Sequence, residues 1–280
     1  MVLDTKRMLD AFKQNWRHYL AEATGLAFFM MLASLCTTAM RSPLLPFLGV
    51  IKEPFWQRVV VGLVLGSGVV AVSYSLWGRK SGSNINPAVT LAFWRMGKIK
   101  TPDALFYVLF QFLGGALAVQ MMGLILGAAY RDPAINYATT MPGPGGPLQA
   151  FVAEFAISFV LMLTILLAIN SDKIKHFTGA IAGVLVALFL IFKQPYSGMS
   201  LSPARSFASA FAARDFANLW IYFVAPPLAM LGACEAFLRL TKSHNNLPDR
   251  ANFPRNGTMP LQKSARPTVS PQHHESRISS

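Results

Sequence analysis

The sequence predicts an all-α membrane protein with six transmembrane helices and two shorter re-entrant half-helices. Of its 280 residues, 53% are hydrophobic and only 13% are charged, whereas an ordinary soluble domain has roughly 25% charged residues. The apolar residues form six long stretches, at about 20–40, 57–77, 104–130, 148–170, 177–193 and 217–240. Each stretch approaches the roughly 20 residues that a helix needs to cross a ~30 Å hydrocarbon layer. This composition argues against a soluble enzyme.

The positive charges predict how these spans are oriented. The chain has twenty-five Lys and Arg residues against twelve Asp and Glu residues. If the N-terminus is cytoplasmic, most of the Lys and Arg residues fall on the cytoplasmic side, as the positive-inside rule requires. We therefore expect both termini to face the cytoplasm, in a plasma membrane or a bacterial inner membrane. Topology and attraction to anionic lipid headgroups account for the charge excess, so nucleic acid is not expected as a partner.

Two further apolar segments are too short to cross the bilayer. Each begins with Ser-Gly and continues, three residues later, with a capping residue, Pro and Ala, at 81–90 and at 197–206. Asn and Ser are good N-cap residues, and Pro suits the first helical position. A half-helix at membrane depth is tolerated only where its irregular approach is buried or lines a water-filled cavity. The pair therefore predicts a pore or binding site whose midpoint is formed by Asn86, Pro87, Ala88, Ser202, Pro203 and Ala204.

The surrounding chain repeats in the same order. Glu22 lies at the start of the first span and Glu154 near the start of the fourth. Three spans per half give inverted repeats, at about 19–130 and 148–240, so the half-helices are expected to meet N-terminus to N-terminus. Carboxylates inside a membrane need donors. We expect Glu22 and Glu154 to accept hydrogen bonds from the backbone before each half-helix, with a proton-relay role as the alternative.

Composition also divides the chain into parts. We expect a cytoplasmic N-terminal segment at 1–18, a channel domain at 19–240 and a basic cytoplasmic tail at 241–280, mobile because it has few large apolar residues. Cys36 and Cys234 fall in apolar runs, so neither a disulfide nor a metal site is expected. Glycines recur at a four-residue spacing that suits close helix contacts, with chance as the alternative: Gly62 and Gly66, Gly123 and Gly127, and Gly179 and Gly183.

On these motifs the sequence resembles the aquaporin family, also called the major intrinsic proteins, over about residues 20–240. The resemblance rests on two boxes, Asn-Pro-Ala at 86–88 and Ser-Pro-Ala at 202–204, on the Ala-Glu pairs at 21–22 and 153–154, and on Gln111 in the third span. It implies a passive channel for water and small neutral solutes in the lipid bilayer, assembled as a homotetramer with one pore per monomer. It also implies that Asn86 donates to the passing molecule and that Arg205 is a filter arginine that repels cations.

The sequence departs from the family pattern at the midpoint and at the filter. Ser202 stands where the family usually has Asn, and its single hydroxyl is shorter than a two-donor amide. We therefore expect a wider and less symmetric midpoint. Counting by the family spacing places the other filter positions at Gly66, Leu190 and Met199, beside Arg205. Gly66 and Leu190 supply neither an aromatic ring nor a second polar group, which predicts a wider and more apolar constriction.

Three functions are compatible with the sequence. The first is the passive channel, although Ser206 stands where the family's glycerol channels commonly have Asp, so the glycerol subtype is not supported. The second is an ion- or proton-coupled carrier that uses Glu22 or Glu154. The third is a poorly conducting scaffold of the same fold, motivated by Ser202 and the basic tail. We find no nucleotide-binding loop, metal-ligand cluster or nucleophile with a base, so no cofactor and no enzyme activity are expected.

Overall fold

The computed structural model describes residues 5–44 and 51–243, and all regular elements in these ranges are helical. Two short 3₁₀ turns, at Asn136–Ala138 and Lys175–Phe177, accompany ten α-helices. In chain order these are α1 (Thr5–Arg41), α2 (Pro54–Tyr74), α3 (Leu76–Ser81), α4 (Pro87–Arg95), α5 (Thr101–Ile125), α6 (Ala128–Arg131), α7 (Gly146–Ile169), α8 (Thr178–Ser197), α9 (Pro203–Ala213) and α10 (Leu219–Ser243).

Six of these helices are long and apolar enough to cross a membrane: α1, α2, α5, α7, α8 and α10. The prediction of an all-α protein with six spans is confirmed. The helices α4 and α9 have 9 and 11 residues, so at 1.5 Å per residue each reaches only about half of a ~30 Å hydrocarbon core. They are the two half-helices.

The helix that contains the first predicted span begins well before that span. Residues 5–18, predicted as a separate cytoplasmic segment, continue α1 as one helix. Its first turns pack on the start of α5: the rings of Phe12 and Phe106 lie 5.3 Å apart. The hydroxyl of Tyr19 and the amide of Asn15 donate to Asp103 Oδ1 at 2.7 and 2.9 Å. These contacts keep the charged segment helical. The predicted mobile tail falls almost entirely on residues 244–280, outside the described residues.

The packing of the long helices follows an inverted two-fold pattern. In the first half α1 packs along α5, and in the second half α7 packs along α10. The half-helices cross over, since α4 contacts α10 and α9 contacts α5, and α4 also touches α9. The helices α2 and α8 contact each other between the two halves. This arrangement brings both half-helices to the centre of the bundle.

Glycines form the close contact between α2 and α8. A Cβ added at Gly66 would lie 2.5 Å from the carbonyl oxygen of Gly183, and one added at Gly183 would lie 2.6 Å from that of Gly66. Small residues at such a crossing let two backbones approach closely, as the spacing predicted. The pair Gly123 and Gly127 differs, because α5 ends at Ile125 and Gly127 has a positive φ of 55° with no atom near its Cβ position. Gly127 therefore serves the turn after the helix rather than a helix contact.

Candidate functional site

The two half-helices begin beside each other. The side-chain oxygen of Asn86 accepts a hydrogen bond from the Ala88 amide at 2.9 Å, and the hydroxyl of Ser202 accepts one from the Arg205 amide at 3.4 Å. Each cap is followed by a proline in the first turn of its helix. The amide nitrogen of Asn86 also donates to the carbonyl oxygen of Leu201 at 2.7 Å. This bond joins the start of α4 to the loop that leads into α9.

Glu22 holds the loop that precedes α4. Its carboxylate is completely buried and accepts hydrogen bonds from the backbone amides of Asn84, at 3.1 Å, and Ile85, at 2.6 Å. The side chain of Gln111 donates a third bond, at 2.8 Å, and a further one to Thr90 Oγ1 at 3.0 Å. Through these bonds Glu22 fixes the conformation of the loop that precedes α4, which we call the first approach loop; the loop that precedes α9 is the second.

Glu154 does the same for the loop before α9. It is also completely buried, and it accepts from the backbone amides of Ser200 and Leu201, both at 2.8 Å. The hydroxyl of Ser197 donates a third bond at 2.7 Å. The two carboxylates thus bind equivalent positions of the two repeats, with donors of the type that the sequence analysis expected.

Two tyrosines complete this pattern, and sequence reasoning missed them. Tyr107 donates to the carbonyl oxygen of Ser81 at 2.9 Å, and Tyr222 donates to that of Ser197 at 2.7 Å. Each tyrosine anchors the serine that opens its box. The signal was present in the sequence, because the tyrosines follow these serines by nearly the same interval, 26 and 25 residues. Such a long interval produces no helical or strand periodicity. Only an alignment of the two internal repeats could have revealed the tyrosines.

The approach loops share an unusual backbone conformation. Three residues in each have positive φ angles: Gly82, Ser83 and Ile85 in the first, and Gly198, Met199 and Leu201 in the second. Residues other than glycine seldom adopt this conformation, and a β-branched one such as isoleucine does so at a cost. The hydrogen bonds to the buried carboxylates stabilise these turns. Both loops contribute to the wall of one internal cavity.

This cavity has a volume of about 160 Å³ and is mainly apolar. Along α8 its wall includes Thr178, Ala182, Val186 and Leu190, a set that extends over about 18 Å of helix. Asn86, Ser202 and Arg205 contribute polar groups, and Lys98 and Lys175 also line it. Of the six residues predicted at the midpoint, the two capping residues, Asn86 and Ser202, line this cavity.

Three of the four predicted filter residues line this cavity, and one does not. Leu190, Met199 and Arg205 line it, whereas Gly66 does not and Leu65 does. Gly66 is therefore the neighbour in sequence of a wall residue, and its place in the filter stays a prediction. The reason is that Gly66 faces the backbone of α8 at the close helix contact, and the next residue on a helix points about 100° away. A leucine in place of a glycine makes this part of the wall bulkier than predicted, and equally apolar.

Arg205 lies where its charge can act on the cavity. Its Nη1 atom is buried and has no hydrogen-bond partner in the part of the chain that the structure describes. The planar guanidinium is always charged and carries donors in fixed directions. It can therefore repel a cation and donate a hydrogen bond to a neutral solute.

A chain of hydroxyl groups supports the loop beside Arg205. The hydroxyl of Thr140, in the connection between α6 and α7, lies 2.6 Å from the hydroxyl of Ser206. The hydroxyl of Ser206 also lies 2.6 Å from that of Ser200. The first half uses a different device, since Gln111 contacts Thr90 at the position equivalent to Ser206. The loop between the repeats thus takes part in holding the second box.

We expect Thr140→Val to change the solute preference of the protein while keeping its shape. Valine has nearly the same volume but cannot bond to Ser206, and one lost hydrogen bond corresponds to about a fivefold change in an equilibrium. The measurement is the ratio of solute to water permeability in proteoliposomes. Thr140→Ser should restore the wild-type ratio, and Thr24→Val is the matched control because that hydroxyl donates to carbonyl oxygens of its own helix. A ratio equal to that of the control would show that Thr140 does not position the filter loop.

Fold and site together define a class of protein: a six-span, inverted-repeat membrane protein in which two opposed half-helices meet beside an apolar cavity. The family model described as "Major intrinsic protein" matches residues 10–238. The chain belongs to the major intrinsic protein family, as the resemblance of the two boxes predicted.

Curated relatives and a solved structure agree with this family. The chain is 33% identical over 185 residues to aquaporin NIP1-4 of Oryza sativa subsp. japonica, a match that covers 65% of each protein and thus less than two thirds of the relative. It is 36% identical over 182 residues to aquaporin AqpM of Methanothermobacter thermautotrophicus, covering 62% of this chain and 70% of the relative. The aquaglyceroporin structure from Plasmodium falciparum matches with a TM-score of 0.68 at 17% identity, over 81% of this chain and 97% of that one. At that identity the likeness concerns the fold alone.

Proposed function

We propose that the protein is a passive channel for water and small neutral solutes, working without a cofactor or catalysis. The observation that carries this proposal is the cavity of about 160 Å³ that passes both half-helix caps. Its apolar wall holds a solute weakly, and a few polar groups at the midpoint replace part of its hydration. Favourable but weak contacts of this kind are what conduction requires. The names of the relatives, which include several aquaporins, support the same class of activity.

The arrangement of charges supports exclusion of cations. The half-helices direct their N-terminal ends, which carry partial positive charge, towards the midpoint. Arg205 adds a full positive charge on the same wall. A cation at this level meets both fields, whereas a neutral solute meets only hydrogen-bond donors. We therefore assign Leu65, Leu190, Met199 and Arg205 to the selectivity filter.

The other two functions that the sequence left open receive less support. A proton-coupled carrier needs a carboxylate that binds and releases protons, yet Glu22 and Glu154 each accept three bonds from fixed donors and are completely buried. A purely structural scaffold does not require an internal cavity that is lined by the capping residues of both boxes. We also propose a homotetramer in a plasma membrane or bacterial inner membrane, with both termini cytoplasmic, on the basis of family membership and the distribution of Lys and Arg.

Stopped-flow light scattering on proteoliposomes tests the channel. We expect a water permeability well above that of protein-free vesicles, without saturation and without dependence on a proton gradient. Ala182→Trp, which places an indole on the cavity wall, should abolish most of this increase. Val184→Trp is the matched control, since Val184 lies on the same helix with 58% of its surface exposed. Equal permeability in the two variants would contradict the proposed pathway, and no increase in the wild type would contradict the channel itself.

A further inference from the structure

Two lysines line the same mouth of the cavity. Lys98 and Lys175 both belong to its wall. Lys98 lies in the link between α4 and α5, and Lys175 lies in the turn between α7 and α8. Because the six spans alternate in direction, both links lie on the face of the bundle where α1 begins, which we propose to be cytoplasmic. None of the described residues that line this cavity is Asp or Glu, so the mouth is positively charged.

The C-terminal turn of α4 fixes the backbone of Lys98. The amide of Gly97 donates to the carbonyl of Trp94, and the amide of Lys98 donates to that of Phe93, both at 2.9 Å. Gly97 has a positive φ of 72°. These features define a Schellman motif, in which the residue at the position of Lys98 is frequently apolar and packs back on the helix. A lysine here departs from that local rule, and such departures are typical of functional sites.

The turn before α8 fixes Lys175 in a similar way. Its amide donates to the carbonyl of Ser171 at 2.9 Å, and its carbonyl accepts from the hydroxyl of Thr178 at 2.8 Å. Its ammonium group donates to Asp172 at 2.7 Å, and the side chain of Asp172 is 96% exposed. An exposed ion pair of this kind is weak. Each lysine ammonium carries three donors, so one protein partner does not prevent it from binding a further anion.

The passage behind the lysines is narrow and apolar. A cavity volume of about 160 Å³ that extends along about 18 Å of α8 leaves only a short gap between facing side chains. The flexible four-carbon stems of two lysines can therefore converge on one ligand at the mouth. Wall residues at this end include Phe93, Ile169 and Ala182. A doubly charged anion would lose its hydration without compensation beside them, so it would stay at the mouth.

We propose that this mouth is a binding site for a small divalent oxyanion of the phosphate type, held between the ammonium groups of Lys98 and Lys175. Two positive charges match the two negative charges of a phosphate or phosphomonoester dianion, and lysine is a common phosphate ligand. The bound anion covers the entrance and lowers the flux of neutral solutes. The tail at 241–280 is not a suitable occupant, because it is itself basic. The effect on flux rests on the proposed channel function, whereas the binding does not.

Calorimetric titration of the detergent-solubilised protein with inorganic phosphate tests the site. Lys98→Gln and Lys175→Gln should each raise the dissociation constant by about fivefold, the effect of one partly exposed ion pair. Lys100→Gln and Lys173→Gln are the matched controls and should keep the wild-type value. They remove the same charge two residues away, from exposed side chains that do not line the cavity. Equal weakening in wall and control variants would assign the phosphate to the basic face as a whole and overturn the inference.

Asp172→Asn supplies a test that misfolding cannot imitate, because a gain of affinity is expected. The carboxylate of Asp172 competes with phosphate for the ammonium group of Lys175. Its removal should lower the dissociation constant, again by about fivefold. A dissociation constant equal to or above that of the wild type would exclude Lys175 from the site and overturn the inference.

Stopped-flow light scattering on phosphatidylcholine vesicles tests the effect on flux. Water permeability in phosphate is compared with that in potassium chloride of equal osmolarity and ionic strength, with the salt on both sides of the membrane. We expect it to fall to roughly half when the phosphate concentration equals the dissociation constant. The double variant Lys98→Gln with Lys175→Gln should show no fall, and a fall equal to that of the wild type would overturn the inference.

Vesicles that contain phosphatidylglycerol, in chloride, identify the source of the phosphate group. A loss of water permeability in the wild type that the double variant does not share assigns the site to a lipid headgroup. An unchanged permeability assigns it to a free anion.

Failure of the anion site and failure of the channel give different results. A wild type that conducts water in chloride but binds no phosphate overturns the inference and leaves the channel function standing. Phosphate binding without a change in water permeability overturns the covering of the entrance. A wild type without water permeability in chloride contradicts the channel function, while the calorimetric titration still decides whether the site exists.

Discussion

Arg205→Ala should make the protein leaky to monovalent cations, with an ionic conductance at least about two orders of magnitude above that of the wild type. Two unit charges 4 Å apart repel each other by about 4 kcal/mol at an effective dielectric constant of 20, which corresponds to roughly a thousandfold in rate. Arg205 supplies such a charge on the cavity wall. The half-helix ends remain in the variant, and for this reason the expected increase is smaller than the full Coulomb term. Current recordings across planar bilayers measure it directly.

Two further variants identify the cause of the leak. Arg205→Lys keeps the charge and loses the planar donors, so cation exclusion should survive while the preference among neutral solutes changes. Arg131→Ala removes the same charge from α6, where the arginine is exposed, and should leave the conductance at the wild-type level. If Arg205→Ala conducts no more than Arg131→Ala, the half-helix dipoles alone are sufficient to exclude cations.

The large features of this fold were open to prediction because they depend on segment length and local chemistry. A helix must be long and apolar to cross lipid, and this fixed the number of spans. Segments with an N-cap, a proline and too few apolar residues had to stop midway, as α4 and α9 do. The donors of Glu22 and Glu154 followed from the cost of an unpaired charge in a membrane. These inferences need no knowledge of how the helices are rotated.

Helix rotation could not be predicted from the sequence. Gly66 matched two patterns at once, the filter spacing and the four-residue spacing with Gly62. The structure shows which one applies, because Gly66 lies against Gly183 and the wall position passes to Leu65. A shift of one residue turns a side chain by about 100°, and only the packing partner on α8 decides it. That partner is more than a hundred residues away, outside any local pattern.

Contacts made by connecting segments and by the first turns of α1 could not be predicted from the sequence either. Thr140 belongs to an irregular loop, and its bond to Ser206 spans 66 residues. The first turns of α1 were predicted as a separate segment because of their charges. The packing of their apolar residues on α5, with Phe12 against Phe106, was not foreseen, while their cytoplasmic location stays a prediction. Periodicity detects neither case, because both depend on which distant surface the fold brings close.

Replacing Glu154 with alanine is expected to prevent recovery of folded protein. The carboxylate has three donors, and alanine leaves all of them buried without an acceptor. Each unsatisfied group costs about 1–3 kcal/mol, so together they approach the 5–15 kcal/mol that stabilises a typical protein. The loop before α9 would lose the bonds that hold its positive φ angles. Size-exclusion chromatography of the detergent-solubilised protein measures the folded fraction.

The control for this loss is an exposed carboxylate on a transmembrane helix. Glu235 pairs with Arg95 while both side chains are about half exposed, and such pairs contribute about 0–1 kcal/mol. Glu235→Ala should therefore yield folded protein at the wild-type level. A Glu154→Ala variant that elutes like Glu235→Ala would show that the second approach loop does not depend on its carboxylate.

Glu154→Gln separates a structural carboxylate from a proton-carrying one. The remaining carbonyl oxygen of glutamine can keep the bonds from Ser197 and Ser200, which both reach Glu154 Oε1, but the new amide faces the N–H of Leu201. We expect a lower thermal stability and, in the folded fraction, solute flux that depends on the proton gradient no more than in the wild type. A carrier predicts the reverse, because glutamine cannot bind and release the proton. A stable Glu154→Gln protein that loses a proton-driven flux present in the wild type would replace the channel with that carrier.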